Sequence, residues 1–168
     1  MVEVHVLCAL RRTHQVRLDK IRKATKYLQD QLGVKHPLAS AEMLTDGVDL
    51  FVDRYGKLLN VSKDGQREIR QALEEHLERV EHDQKNQPVR LFPFTREGES
   101  PKMIAIDPRR RFGQPYLVDC GAESIIVFRR YLAGESVSAL VEEFRGTTEE
   151  IEEAIRFHGR AGQAGQAA

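Results

Sequence analysis

Between Glu123 and His158 the sequence is cut into three short periodic stretches by Ala133-Gly134 and Gly146, and this punctuation leaves little choice of architecture. The first stretch predicts a helix over 123–132. Ser136 then opens a second helix that runs to about Phe144. Gly146 stops it, and Thr147-Thr148-Glu149-Glu150 has the form of a capping box that starts a third helix, to about His158. Three short helices joined by tight turns make a trihelical, helix-turn-helix-like unit. Phe128, Leu132, Leu140, Phe144, Ile151 and Ile155 are its expected core. The tail beyond, GRAGQAGQAA, has no apolar pattern and is expected to be disordered.

The N-terminal half reads differently. Residues 3–13 predict a short, largely buried helix ending in Arg11 and Arg12. Leu18, Ile21, Thr25, Leu28 and Leu32 recur at three- and four-residue steps and predict a helix over 17–32, stopped by Gly33 and Pro37. The two are expected to pair antiparallel around His14-Gln15. Residues 41–45 lead into Asp46-Gly47, a hairpin turn signal. The runs 48–53 and 57–61 flank Arg54-Tyr55-Gly56, so this stretch predicts a small meander. Ser62 or Asp64 caps an expected helix over 65–76, with Ile69, Ala72, Leu73 and Leu77 on one face. Residues 77–83 and 88–94 are expected to pair, with Pro88 and Pro93 restricting them to edge positions. The breaker-rich stretch 95–101 reads as a linker, and 103–106 and 116–118 as two further short strands. The fold class is therefore α+β: a basic helical head with a small antiparallel strand-rich middle (1–95), a trihelical domain (103–158) and a tail (159–168).

Chemistry has few places to sit. Cys8 and Cys120 lie far apart without C-x2-C spacing; Cys8 falls in an apolar run and Cys120 in a Gly-flanked turn. The six histidines, at 5, 14, 36, 76, 82 and 158, are scattered. No phosphate-binding glycine loop, nucleophile elbow or H-E-x-x-H motif occurs. Carboxylates cluster at Glu74, Glu75 and Glu78 and at Glu149, Glu150, Glu152 and Glu153, which read as solvated helix faces. The expectation is a non-catalytic protein with no metal and no cofactor. No stretch approaches the roughly 20 apolar residues that span a bilayer. Glu3 stands where a secretory signal carries basic residues, so a cytoplasmic location is expected.

Charge is distributed unevenly although the total is zero: residues 1–36 carry +5, 37–121 carry −2, 122–158 carry −4 and Arg160 adds +1. Arg11, Arg12, Arg17, Lys20, Arg22, Lys23 and Lys26 crowd the head and suit a DNA backbone through charge and counterion release. Arg109-Arg110-Arg111 form a second basic spot. The acidic helix TTEEIEEAIRFH would be repelled by phosphate, so protein contact, by dimerisation or by docking a basic partner, is its expected role.

Two segments look familiar. Ile104-Ala-Ile-Asp-Pro108, Phe112-Gly-Gln-Pro115, Tyr131-Leu-Ala-Gly-Glu-Ser136, Leu140-Val-Glu-Glu-Phe144 and Ile151-Glu-Glu-Ala-Ile155 together resemble the domain-of-unknown-function family DUF-433. Asp119-Cys120-Gly121 stand where that family usually has G-T-R. Val4 to Arg12 and Val16 to Ala24 are similar to the MerR-like helices found ahead of this domain in VapB-type antitoxins. In MerR-like proteins the helix-turn-helix lies upstream of this point, so the head is expected to supply charge more than base readout. The resemblance implies an antitoxin that neutralises a PIN-domain ribonuclease toxin, autoregulates its transcription by binding DNA and forms a homodimer. PIN nucleases hold a metal with carboxylates, which makes Arg156 and Arg160, near the C-terminal end, the expected toxin contacts. A DNA-binding regulator without a toxin, or a small protein-interaction module, is the alternative.

Overall fold

A computed structural model describes residues 3, 18–40, 43, 47–59, 62–85, 87–96 and 100–166. The expected helix over 3–13, with Cys8, lies outside them, apart from Glu3. The chain divides into two compact units, Met1–Val89 and Arg90–Ala168.

In the first unit the predicted stripe becomes helix α1, Leu18–Leu32. Ile21, Ala24 and Leu28 are buried on one side. The helix ends as expected at Gly33, whose φ of +66° costs glycine little, and the Gly33 N–H closes the last turn on the Gln29 carbonyl at 3.0 Å. Pro37–Ala39 then form a buried 3-10 turn.

Among the described residues of the expected meander, Val48–Leu59 is a helix, α2, instead of two strands, and the expected turn at Asp46 lies outside them. The run fits both periods, since Val48, Leu50 and Val52 alternate while Val48, Phe51, Val52 and Tyr55 follow helical spacing. The helical set is the one that is buried. Asp53 and Lys57, one turn apart, pair at 2.7 Å on its wet face. Gly56 is no turn residue. A Cβ built there would lie 2.7 Å from Gln66 Nε2, so the glycine leaves room for the end of that side chain. Gln66 belongs to α3, Lys63–Leu77, capped by the Ser62 hydroxyl accepting from the Gly65 N–H, with Ile69, Ala72, Leu73 and Leu77 buried as expected. The core of this unit is Ile21, Leu28, Met43, Phe51, Tyr55, Leu73 and Leu77 with their neighbours. Phe51 and Tyr55 stack at 5.7 Å. Strands β1, Val80–His82, and β2, Pro88–Leu91, form a two-stranded sheet where pairing is expected. The Asp83 carboxylate holds the turn by accepting from the Lys85 and Gln87 N–H groups.

In the second unit β3, Ile104–Ala105, pairs antiparallel with β4, Tyr116–Leu117, in the register Ile104 to Leu117 and Ala105 to Tyr116. A bridge between Leu91 and Ile106 extends this small sheet. Helices α4, Ser124–Leu132, α5, Val137–Phe144, and α6, Thr148–Gln166, follow. The capping box forms: the Thr147 hydroxyl accepts from the Glu150 N–H at 3.1 Å, and the Glu150 carboxylate accepts from the Thr147 N–H at 3.2 Å. Ile104, Leu117, Val127, Leu140, Ile151 and Ala154 pack as one core. The α6 backbone continues to Gln166, through most of the stretch expected to be disordered. Six helices and two small sheets make the fold of the described residues α+β. Among the described residues no helix is long and apolar enough to cross a membrane.

Candidate nucleic-acid interface

The expected basic head lies only partly among the described residues. Arg11, Arg12 and Arg17 are outside them. Lys20 has its backbone in α1. Arg22, Lys23 and Lys26 are exposed on the side of α1 opposite Ile21 and Leu28. Asp19 and Asp30 share that exposed side by spacing, so this face carries three cations against two carboxylates. Arg54 of α2, expected in a turn, lies over the Tyr27 ring at 5.1 Å and adds a cation.

The second basic spot is more strongly shaped. Arg111, Phe112 and Gly113 take φ of +48°, +54° and +75°, three left-handed residues in succession. For each of the two with a side chain this costs about 1–2 kcal/mol. The turn holds because its base is tied down. Buried Asp107 accepts from the Arg109 N–H at 2.9 Å and from Arg109 Nε at 3.3 Å. Burial pulls the Asp107 carboxyl up, but these bonds and the Arg109 and Arg90 charges outweigh it and leave it below its ordinary value. Arg110 lies over the buried Tyr116 ring at 4.9 Å, and Arg111 pairs with Glu123 at 3.3 Å. Arg110 and Arg111 carbonyls accept from Gly113 and Gln114 N–H groups at 3.0 Å each. Phe112 is thereby fully exposed, at 100%.

The charges around this turn extend along the small sheet. Arg90 and Lys102 both approach the Phe92 ring, at 5.9 and 5.6 Å from its centre. Phe92 packs with Ala105 and Tyr116. Among the described residues, Arg90, Lys102, Arg109, Arg110 and Arg111 thus lie about one small sheet, with Asp107 paired to Arg109 and Glu123 to Arg111.

The helices carry mainly structural polar groups. Arg130 bonds Glu135 at 2.6 Å and Glu143 at 2.6 Å and lies over the Phe144 ring, locking the α4–α5 corner. These bonds raise the Arg130 pKa and lower those of Glu135 and Glu143. The acidic run of α6 is not uniformly solvated as expected. Glu149 and Glu152 are exposed, whereas Glu150 and Glu153 are buried. Glu150 caps its helix and accepts from the Asp119 N–H at 3.0 Å. Glu153 takes the Thr95 hydroxyl and the Arg156 guanidinium. Arg156, one of the two expected toxin contacts, is therefore already ion-paired within its own helix. Arg160 has its backbone one turn further along α6.

Three arrangements that could suggest catalysis are structural. Ser124 and His158 are 2.9 Å apart, but Ser124 is 0% exposed and its hydroxyl donates to the Pro115 carbonyl. Burial, then the Glu150 and Asp119 charges, raise the Cys120 pKa, so its thiol is held protonated, opposite to an activated nucleophile. His76 and His82 each donate a ring N–H to a backbone carbonyl, of Ala72 and Ala39. Among the described residues no three His, Cys, Asp or Glu are grouped to hold a metal ion.

In fold, the chain is similar to the crystal structure of Rv2018 from Mycobacterium tuberculosis, with a TM-score of 0.70 and 22% identity, covering 92% of this chain and 76% of that one. In sequence it is 26% identical, over 92% of its length and 68% of the relative's, to a Mycobacterium tuberculosis (strain ATCC 25618 / H37Rv) protein described as "Putative antitoxin VapB45". No family model matches the chain.

Proposed function

We propose that this chain is a VapB-type antitoxin: a non-catalytic protein that neutralises a PIN-domain ribonuclease, associates with DNA and acts as a homodimer. The observation that carries the reading is the similarity to the mycobacterial relative, which runs over 92% of the chain and so is not confined to one unit. Arg22, Lys23 and Lys26 on α1, with Lys20 and with Arg11, Arg12 and Arg17 ahead of it, serve DNA backbone contact. Such contacts position a protein on a duplex and carry little sequence information. The Arg156–Arg160 end of α6 serves the toxin. Arg156 remains 39% exposed beside its pair with Glu153, a planar cation suited to carboxylates that hold a metal.

The test is co-expression with a PIN-domain ribonuclease encoded beside this chain. Restored growth and co-purification of the pair support the reading. If the chain neither restores growth nor binds the ribonuclease, yet shifts a duplex from its own upstream region, the protein is a regulator without a toxin.

A further inference from the structure

We propose that the turn Pro108–Gly113 of the second unit is a nucleic-acid contact separate from α1, in which Phe112 stacks on a base while the surrounding arginines meet phosphates. This goes beyond the antitoxin reading and does not depend on a toxin.

Two independent observations meet at this turn. The first is conformational. Two residues with side chains in succession hold left-handed backbone, and the turn is fixed by Asp107, Tyr116 and Glu123. Strained backbone that the surroundings hold in place concentrates at functional sites. Its consequence here is specific: the ring of Phe112 is fully exposed on a tethered base. The second is electrostatic. Arg109, Arg110 and Arg111 follow one another on the turn, and Arg90 and Lys102 lie over the Phe92 ring of the same small sheet.

An aromatic face among guanidinium groups matches a nucleotide, which offers a base to stack and a phosphate to pair. The ion pairs that hold Arg109 and Arg111 leave both side chains about half exposed or more, so their remaining N–H groups face solvent. A protein pocket would also accept a phenylalanine, but it would have to supply several carboxylates at its rim to match this charge. A polyanion meets that demand along its whole length. Both sources of a stackable base share this chemistry: a single strand, or a duplex step opened by an inserted ring. The acidic α6 is excluded from the same role by its exposed Glu149 and Glu152.

The experiment is fluorescence anisotropy of the full chain with a fluorescein-labelled strand of about 24 nucleotides and a duplex of the same length, each at several salt concentrations, a length that exceeds the roughly 4–16 nucleotides a single-strand site covers. Phe112→Ala should weaken binding about 10-fold or more on the probe the ring engages, and Phe112→Tyr should retain most of it. Removing the ring should leave the salt dependence unchanged. Arg109→Gln with Arg111→Gln should instead flatten the log–log salt slope by about one for each phosphate no longer neutralised. Preference for the single strand or the duplex identifies the source of the base. A parent that binds neither probe overturns the proposal. So does a Phe112→Ala protein, folded by circular dichroism, that binds both probes as the parent does. If that variant binds normally while Arg22→Glu/Lys23→Glu/Lys26→Glu abolishes binding, the α1 contact stands and this one falls. A Phe112→Ala chain that binds both probes but no longer binds the ribonuclease or itself makes the turn a protein-docking element instead.

Discussion

Phe112 combines two features that ordinarily destabilise, left-handed backbone and a bare aromatic surface, so its substitution reports on what it does in the folded chain. Phe112→Gly removes a side chain that buries nothing and relieves about 1–2 kcal/mol of backbone strain. The flexibility of glycine in the unfolded chain returns about 0.5–1 kcal/mol. The variant should therefore be as stable as the parent or up to about 1.5 kcal/mol more stable in urea unfolding. A clear loss of stability would show that the ring packs against something after all. Glu153 behaves oppositely. It is buried and holds Thr95 and Arg156, so Glu153→Ala should cost about 1–3 kcal/mol by leaving the Thr95 hydroxyl with one partner fewer. Stability within a few tenths of the parent would contradict that account. The Arg109–Arg111 run was legible in the sequence as a basic spot. The projection of Phe112 was not, because no local pattern marks positive φ at a residue with a side chain. The burial of Glu153 was equally hidden, since it depends on Thr95, 58 residues away.

Elements whose stop signals and periodicity agreed were legible in the sequence: α1 with Gly33, α3 with Ser62, α5 with Ser136 and α6 with its capping box. At 48–59 the two signals disagreed. Alternation and glycine argued for strands, while the wider spacing of Val48, Phe51, Val52 and Tyr55 argued for a helix. Packing decided between them, because only the helix buries all four at once. Gly56→Ala separates these readings. In a helix, alanine gains about 1 kcal/mol of propensity and displaces only the end of the flexible Gln66 side chain. The variant should be unchanged or slightly stabilised. In a turn requiring positive φ it would be destabilised. Gly134 is the internal control: its φ is +99°, so Gly134→Ala should cost about 1 kcal/mol or more although nothing crowds the new methyl. A stabilised Gly134→Ala together with a destabilised Gly56→Ala would reverse both assignments.

For the molecule as a whole, each unit contains a histidine held neutral by its surroundings, and acidification should therefore weaken both. Burial, then the Arg129 charge, lowers the pKa of His158, whose ring lies against Phe128 and Phe157 and bonds the Ser124 hydroxyl. Burial lowers that of His76 more than its bond to the Ala72 carbonyl and the Glu75 charge raise it, with Arg79 adding to the lowering. In the unfolded chain both titrate near the ordinary value of 6.5. Below that pH the unfolded state takes up more protons than the folded one, so stability falls as pH falls. The contribution is complete above about pH 6.5 and is lost as pH drops toward the folded values, before most carboxylates titrate. Glu135 and Glu143 act in a separate window. Their lowered pKa values mean their pairs with Arg130 weaken only below about pH 4.5. Urea unfolding followed by circular dichroism at about pH 7.5 and about pH 5.0, either side of the histidine window, should show the parent less stable at the lower pH. His158→Gln should reduce that difference, His76→Gln should reduce it independently because it lies in the other unit, and the double variant should be flatter than either. A parent with equal stability at the two pH values, or single variants that keep the full difference, would show that neither imidazole is held neutral by the fold.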